Sequence, residues 1–179
     1  FSVIFLTTLI GAGQGLFLAA FTAESYAAFG LLPPVARSFL ALSSGIALVL
    51  MAGGLGASFF HLGRPERAWR AATQWRTSWL SREVIALPAF MGALFLYGAL
   101  HFFKINPVLG HLPSGAPIEL SAVIGSAATL MAFVLFVCTA MIYAGLRFLR
   151  EWHTPLTVIN YILLGGASGF TLAAALAAF

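Results

Sequence analysis

The residues of this chain best equipped for chemistry lie in one stretch, FHLGRPERAWRAATQWRTSWLSREV, residues 60–84. It carries five of the nine basic and two of the five acidic side chains, although only 8% of all residues are charged. His61 titrates near neutrality, and a partly desolvated carboxylate such as Glu83 is a natural companion for moving protons. Reduction of a quinone takes up two electrons and two protons. A site for it must hydrogen-bond the ring carbonyls and connect titratable groups to water, and His61 with Glu83, flanked by Ser81 and Arg82, offers that set. A blander reading stays open at this point: Glu83 stabilises a helix start, Arg82 snorkels, and His61 is satisfied by a carbonyl at an interface.

The elements that must position these residues are membrane helices. Hydrophobic residues make up 61% of the chain, and apolar runs of about 20 residues or more recur, each able to cross a hydrocarbon core about 30 Å thick. The runs do not alternate as barrel strands do, so the fold class is all-α, a polytopic transmembrane bundle forming one domain over residues 1–179. Helices are expected at about 2–28, 38–60, 80–103, 117–147 and 156–178. Proline and glycine punctuate the connections, in LLPPVARS (31–38), KINPVLGHLPSGAP (104–117) and REWHTP (150–155). The chain opens without methionine and closes in an apolar run, which reads as part of something longer.

Within residues 60–84, Gly63 suits the end of the second helix and Pro65 the first turn of a short helix over about 65–76. As an α-helix lying in the interface, that segment sets Arg67, Arg70 and Gln74 on one face and Ala68, Ala71, Ala72 and Trp75 on the other. The third span is expected to start near Ser81 as N-cap, with Glu83 in its first turn. Arg64, Arg67, Arg70 and Arg76 are candidates for docking a partner subunit.

Alternating spans place Arg64, Arg67, Arg70, Arg76, Arg82, Arg147 and Arg150 at one membrane face and only Arg37 and Lys104 at the other. The positive-inside rule makes the arginine-rich face cytoplasmic, in a bacterial inner membrane. The net charge of +4 rests on few residues at span ends, which suits anionic lipid and subunit docking rather than nucleic acid. The single cysteine, Cys138, lies in an apolar run, so this chain alone supports neither a disulfide framework nor an iron–sulfur cluster. Gln14, Asn160 and Tyr161 fall inside spans, where interhelical hydrogen bonding is the expected role.

The run from Ser58 to Val84, with its HLG-x-P-x-RA segment and Ser-Trp-Leu-Ser-Arg-Glu helix start, resembles the signature of DmsC-type membrane anchor subunits of dimethyl sulfoxide reductase-like molybdoenzymes. Cys138–Gly165, CTAMIYAGLRFLREWHTPLTVINYILLG, is most similar to the branch that anchors membrane-bound sulfite dehydrogenase, SoeC. The resemblance implies an eight-helix anchor of which this chain matches five helices. It also implies a ferredoxin-like iron–sulfur partner, a molybdopterin catalytic subunit, and ubiquinone or menaquinone as the electron carrier, with no metal on this chain. In that family the histidine of the HLG segment and the glutamate of the following helix start are associated with quinol binding, which carries over to His61 and Glu83. The implied activity is sulfite oxidation to sulfate coupled to quinone, with a quinol-oxidising anchor of a sulfoxide or related sulfur-compound reductase as the alternative.

Two other classes fit less well. A haem b subunit needs axial histidines at matching depth, whereas His61 and His101 fall at opposite faces and His153 lies in a turn beside Pro155. A transporter is usually marked by charges at mid-membrane, and the acidic residues Glu24 and Glu119 sit near span ends, Glu119 being expected in the first turn of the fourth helix.

Overall fold

The computed structural model describes residues 2–59, 65–111 and 117–178. Five α-helices follow the apolar runs: α1 (Ser2–Ala28), α2 (Arg37–Phe59), α3 (Trp79–Phe102), α4 (Leu120–Ala144) and α5 (Pro155–Ala177). Each is long and apolar enough to cross a membrane. A helix keeps all its backbone hydrogen bonds within the segment, which is what a hydrocarbon solvent demands of a single span. α1 packs mainly on α2 and α5, and α3 on α4 and α2. Side-chain contacts confirm the alternation of direction. Glu24 at the end of α1 meets His101 at the end of α3 and Ser121 at the start of α4, while Glu83 at the start of α3 meets Thr139 near the end of α4.

The fourth helix departs from expectation at both ends. Residues 117–119 do not open it but form a strand, β2 (Pro117–Glu119), paired antiparallel with β1 (Val108–His111) and broken by a bulge between Val108 and Gly110. Pro117 sits at the first position of that strand, where its missing N–H costs the ladder least. At the other end the helix stops at Ala144 because Gly145 takes the C-cap position and the chain turns through residues 145–154. The third helix starts earlier than expected: Ser78 is its N-cap, and its hydroxyl accepts from the Ser81 N–H at 3.4 Å.

The segment Pro65–Gln74 is helical, but as a 3-10 helix rather than an α-helix. Runs of this kind rarely exceed three or four residues, so ten need a reason. Side chains of α3 supply part of one by taking carbonyls at its end. Ser81 Oγ donates to the Ala71 carbonyl, and Arg82 donates from Nε to Trp75 O at 3.0 Å and from Nη2 to Arg76 O at 2.9 Å. Because residues three apart eclipse in this geometry, Arg67 and Arg70 align with Thr73. Gln74 falls in register with Ala71 instead of sharing the arginine face.

At the α1/α5 crossing the two backbones come close together at glycines. A Cβ on Gly15 would stand 3.0 Å from the Gly169 Cα, and one on Gly169 would land on the Gly15 backbone. Small residues allow this approach, and dispersion between the two backbones stabilises it where no hydrophobic effect drives helices together. Around it, Gln14 donates from Nε2 to the Ala132 carbonyl of α4 at 2.8 Å, and the Tyr161 hydroxyl of α5 donates to Thr7 O of α1 at 3.1 Å. Both are the interhelical bonds anticipated for them. Asn160, by contrast, is exposed on the outer side of α5. Gly169→Ala is expected to cost about 1–3 kcal/mol by overpacking, whereas Gly166→Ala, which meets open space, should be neutral; thermal unfolding of the detergent-purified protein compares them.

Candidate functional site

Trp79, Leu80, Ser81 and Arg82 form the first turn of α3, so Glu83 begins the second. It is therefore not a first-turn partner of the helix dipole. Its side chain turns inward and is 6% exposed. There Thr139 of α4 donates from Oγ1 to Glu83 Oε1 at 2.6 Å. Tyr161 lies beside Thr139 and within electrostatic reach of Glu83, as does Tyr143. A carboxylate placed so costs free energy unless hydrogen-bonded, and one hydroxyl is a sparse shell for two oxygens. The result is a buried carboxylate at the arginine-rich end of the bundle, held between α3 and α4.

The neighbouring residues have different tasks. Ser81 is 2% exposed and donates its hydroxyl proton to the Ala71 carbonyl, which ties the 3-10 segment to α3. Arg82 lies over the Trp79 ring at 4.2 Å from its centroid while holding the Trp75 and Arg76 carbonyls. Arg70 and Arg76 make similar approaches to Trp69 and Trp75 at 5.6 and 5.3 Å. Arg67, Arg70 and Arg76 are exposed, and among the described residues none of them pairs with a carboxylate. Their paired tryptophans suit the membrane–water boundary, where an apolar ring and a cation can both be accommodated.

Beside these residues α3 and α4 leave an apolar groove of about 610 Å³. Trp75, Trp79, Arg82 and Cys138 border it at the arginine-rich end, and Ala89 and Leu130 line it farther along. Glu83 does not line it. Cys138 does, and it lies within reach of both the Arg82 and the Glu83 charges. One end of the groove thus has a guanidinium at its border and a carboxylate one layer behind. The structure gives Arg82 and Glu83, neighbours in sequence, different surroundings. His61 and Arg64 lie outside the described residues.

Thr139 was not recognisable as a site residue from the sequence. It is one threonine in an apolar run, and only the rotation of α4 against α3 makes it the partner of a residue 56 positions away. The opposite end of the bundle holds a second polar cluster that sequence reasoning also missed. Glu24 accepts hydrogen bonds from the Tyr97 hydroxyl and from Ser121 Oγ, the latter at 2.9 Å, and faces His101 Nε2 at 3.3 Å. Asn106 donates to Glu119 and, at 2.9 Å, to Ser121 Oγ. Glu119 precedes α4 as its N-cap and makes no side-chain cap bond, so it is not the first-turn dipole partner expected. His153, one of the histidines weighed for haem, has Nδ1 2.6 Å from the Ala144 carbonyl, where it satisfies an unpaired group at the end of α4.

Comparison with known proteins bears on the whole chain. The family model described as DMSO reductase anchor subunit (DmsC) matches residues 1–179. A sulfite dehydrogenase subunit of Allochromatium vinosum is 58% identical over 179 residues, covering all of this chain and 55% of the relative. The chain therefore spans about half the length of that relative. No solved structure matches. Replacing Thr139 by Val, which keeps the shape and removes the donor to Glu83, is expected to destabilise the bundle by about 1–3 kcal/mol; Thr139→Ser should recover most of that loss, both read from thermal unfolding.

Proposed function

This chain belongs to the DMSO reductase anchor subunit (DmsC) family, and from that premise we propose that it is the quinone-reactive part of a membrane anchor which receives electrons from sulfite oxidation. The observation that carries the proposal is the pairing of the α3/α4 groove, bordered by Arg82, with the buried Glu83 carboxylate behind it. The groove is apolar and lies between two membrane-spanning helices, which suits an isoprenoid tail. Its arginine-bordered end suits a ring with carbonyl acceptors.

A bound quinone supplies the two-electron chemistry, and the protein supplies position and protons. Arg82 is already held by two backbone carbonyls and the Trp79 face, so its remaining donors point with little freedom. Orientation of that kind lowers the entropy lost on binding. Glu83 exchanges a proton with the site while Thr139 keeps its Oε1 oriented. His61, on the connection that leads from α2 toward the 3-10 segment, is assigned the exchange with water. This chain holds no redox centre of its own in the proposal; iron–sulfur clusters on a ferredoxin-like partner deliver the electrons, and a molybdopterin subunit oxidises sulfite.

The exposed Arg67, Arg70 and Arg76, with Arg64 in the same stretch, form the docking surface for the iron–sulfur partner. Cations without internal carboxylate partners steer an acidic protein surface and fix its register. The same end carries Arg147 and Arg150 on the turn between α4 and α5. With that face cytoplasmic by the positive-inside rule, the soluble subunits are cytoplasmic. The name of the Allochromatium relative supports sulfite as the electron donor.

In the intact complex, Glu83→Gln or His61→Ala is expected to lower sulfite-to-quinone turnover about a hundredfold, in the range typical of lost general acid–base groups. Sulfite oxidation by the soluble subunits with an artificial dye should stay unchanged. Wild-type quinone kinetics in both variants would sink the site assignment, and a copurifying catalytic subunit that reduces sulfoxides without oxidising sulfite would reverse the electron flow.

A further inference from the structure

At the end of the bundle away from Glu83, α2 and α3 leave a second open groove, of about 720 Å³. Ala41, Leu42, Gly45, Ile46 and Val49 of α2 line it, and their spacing of three and four residues sets them on one stripe of the helix. From Arg37 to Val49 the helix rises about 18 Å at 1.5 Å per residue, enough for most of an acyl chain. Gly45 meets no neighbouring atom where a Cβ would stand, so the stripe is open at its middle.

The mouth of this groove is cationic. Arg37, the first residue of α2, and Lys104, just after the C-cap of α3, both border it and both are exposed. Arg37 Nη1 donates to the Lys104 carbonyl at 3.3 Å, which fixes the two residues against each other. Lys104 has φ of 58°, in the left-handed region that costs a non-glycine residue about 1 kcal/mol. The strain is retained although glycine is the usual choice after a helix end.

Neither cation forms an ion pair among the described residues, although Arg37 also borders the cleft that holds Glu24 and Glu119. Tyr97 and Ser121 occupy Glu24, with His101 beside it, and Asn106 occupies Glu119. His101 also borders the groove, but its ring nitrogens are buried and are not offered to the mouth. The mouth therefore has two cations without ion-pair partners among the described residues, above an apolar channel.

We propose that this groove is a binding site for one anionic phospholipid, its phosphate held between Arg37 and Lys104 and one acyl chain lying along the Ala41–Val49 stripe of α2. A zwitterionic lipid brings its own ammonium to compete for the phosphate and leaves the two protein charges unmatched. A protein helix laid in the same groove would fill the apolar channel and leave the mouth unneutralised. The site is separate from the α3/α4 groove and stands whether or not a quinone binds there.

The test places a reporter in the channel and bromine on the lipid chains. Leu42 is exposed and accepts a tryptophan, and the four native tryptophans of this chain, Trp69, Trp75, Trp79 and Trp152, lie near the opposite end. The full-length Leu42→Trp chain in its complex is reconstituted into bilayers of mixed lipids, and the fluorescence of the unsubstituted complex is subtracted. Brominated phosphatidylglycerol is expected to quench at about one-tenth the mole fraction needed for brominated phosphatidylcholine, the preference that two interfacial cations support. The preference should vanish when Arg37→Gln and Lys104→Gln are added. Equal quenching by the two lipids in the Leu42→Trp complex overturns the proposal, and so does the absence of quenching by either, which would mean that protein covers the groove.

Discussion

The carboxylates inside this bundle are received by side chains of other helices. Hydrocarbon offers no hydrogen bonds, so each buried carboxyl, hydroxyl or amide within a span must find its partner in the protein or incur a cost of several kcal/mol. That constraint explains why the two deeply placed carboxylates, Glu24 and Glu83, each sit at a junction of helices and never on a lipid-facing stripe. Glu24 collects Tyr97, Ser121 and His101 from α3 and α4; Glu83 takes Thr139 from α4. Helix rotations follow from these pairings as much as from apolar packing, because any other rotation strands a carboxylate.

The two clusters differ in how completely they are satisfied. Glu24 has three partners and faces a polar cleft of about 330 Å³ that Asn106 and Glu119 also line. Glu83 has one hydroxyl and sits behind an apolar groove. The sparser shell leaves Glu83 the less satisfied of the two. Thr139 orients it without quenching it.

The charged connection between α2 and α3 works by the same rule from outside the membrane. Arg82 and Ser81 reach back to carbonyls of the 3-10 segment and its exit, so the start of α3 and the interfacial segment form one unit. Tryptophans at 69, 75 and 79 set its depth, and arginines beside them stay at the surface. The exposed arginines and the α3/α4 groove thereby share one edge of the bundle.

Five spans, their order and the concentration of charge in residues 60–84 were legible because they depend on local composition: hydropathy over about 20 residues, proline and glycine at the breaks, and charges confined to span ends. Glu83 stood out as the acidic residue at the arginine-rich end of a span. Its role as a helix-start residue was misread by one turn, since Ser78 and Ser81 compete as caps and only the hydrogen bond between them decides. Thr139 beside Glu83, Ser121 beside Glu24 and the eclipsed faces of the 3-10 segment were settled by the tertiary structure alone. Those contacts join residues 56 and 97 positions apart through the relative rotation of helices, and an apolar stretch that is hydrophobic all round carries no stripe from which that rotation could be read.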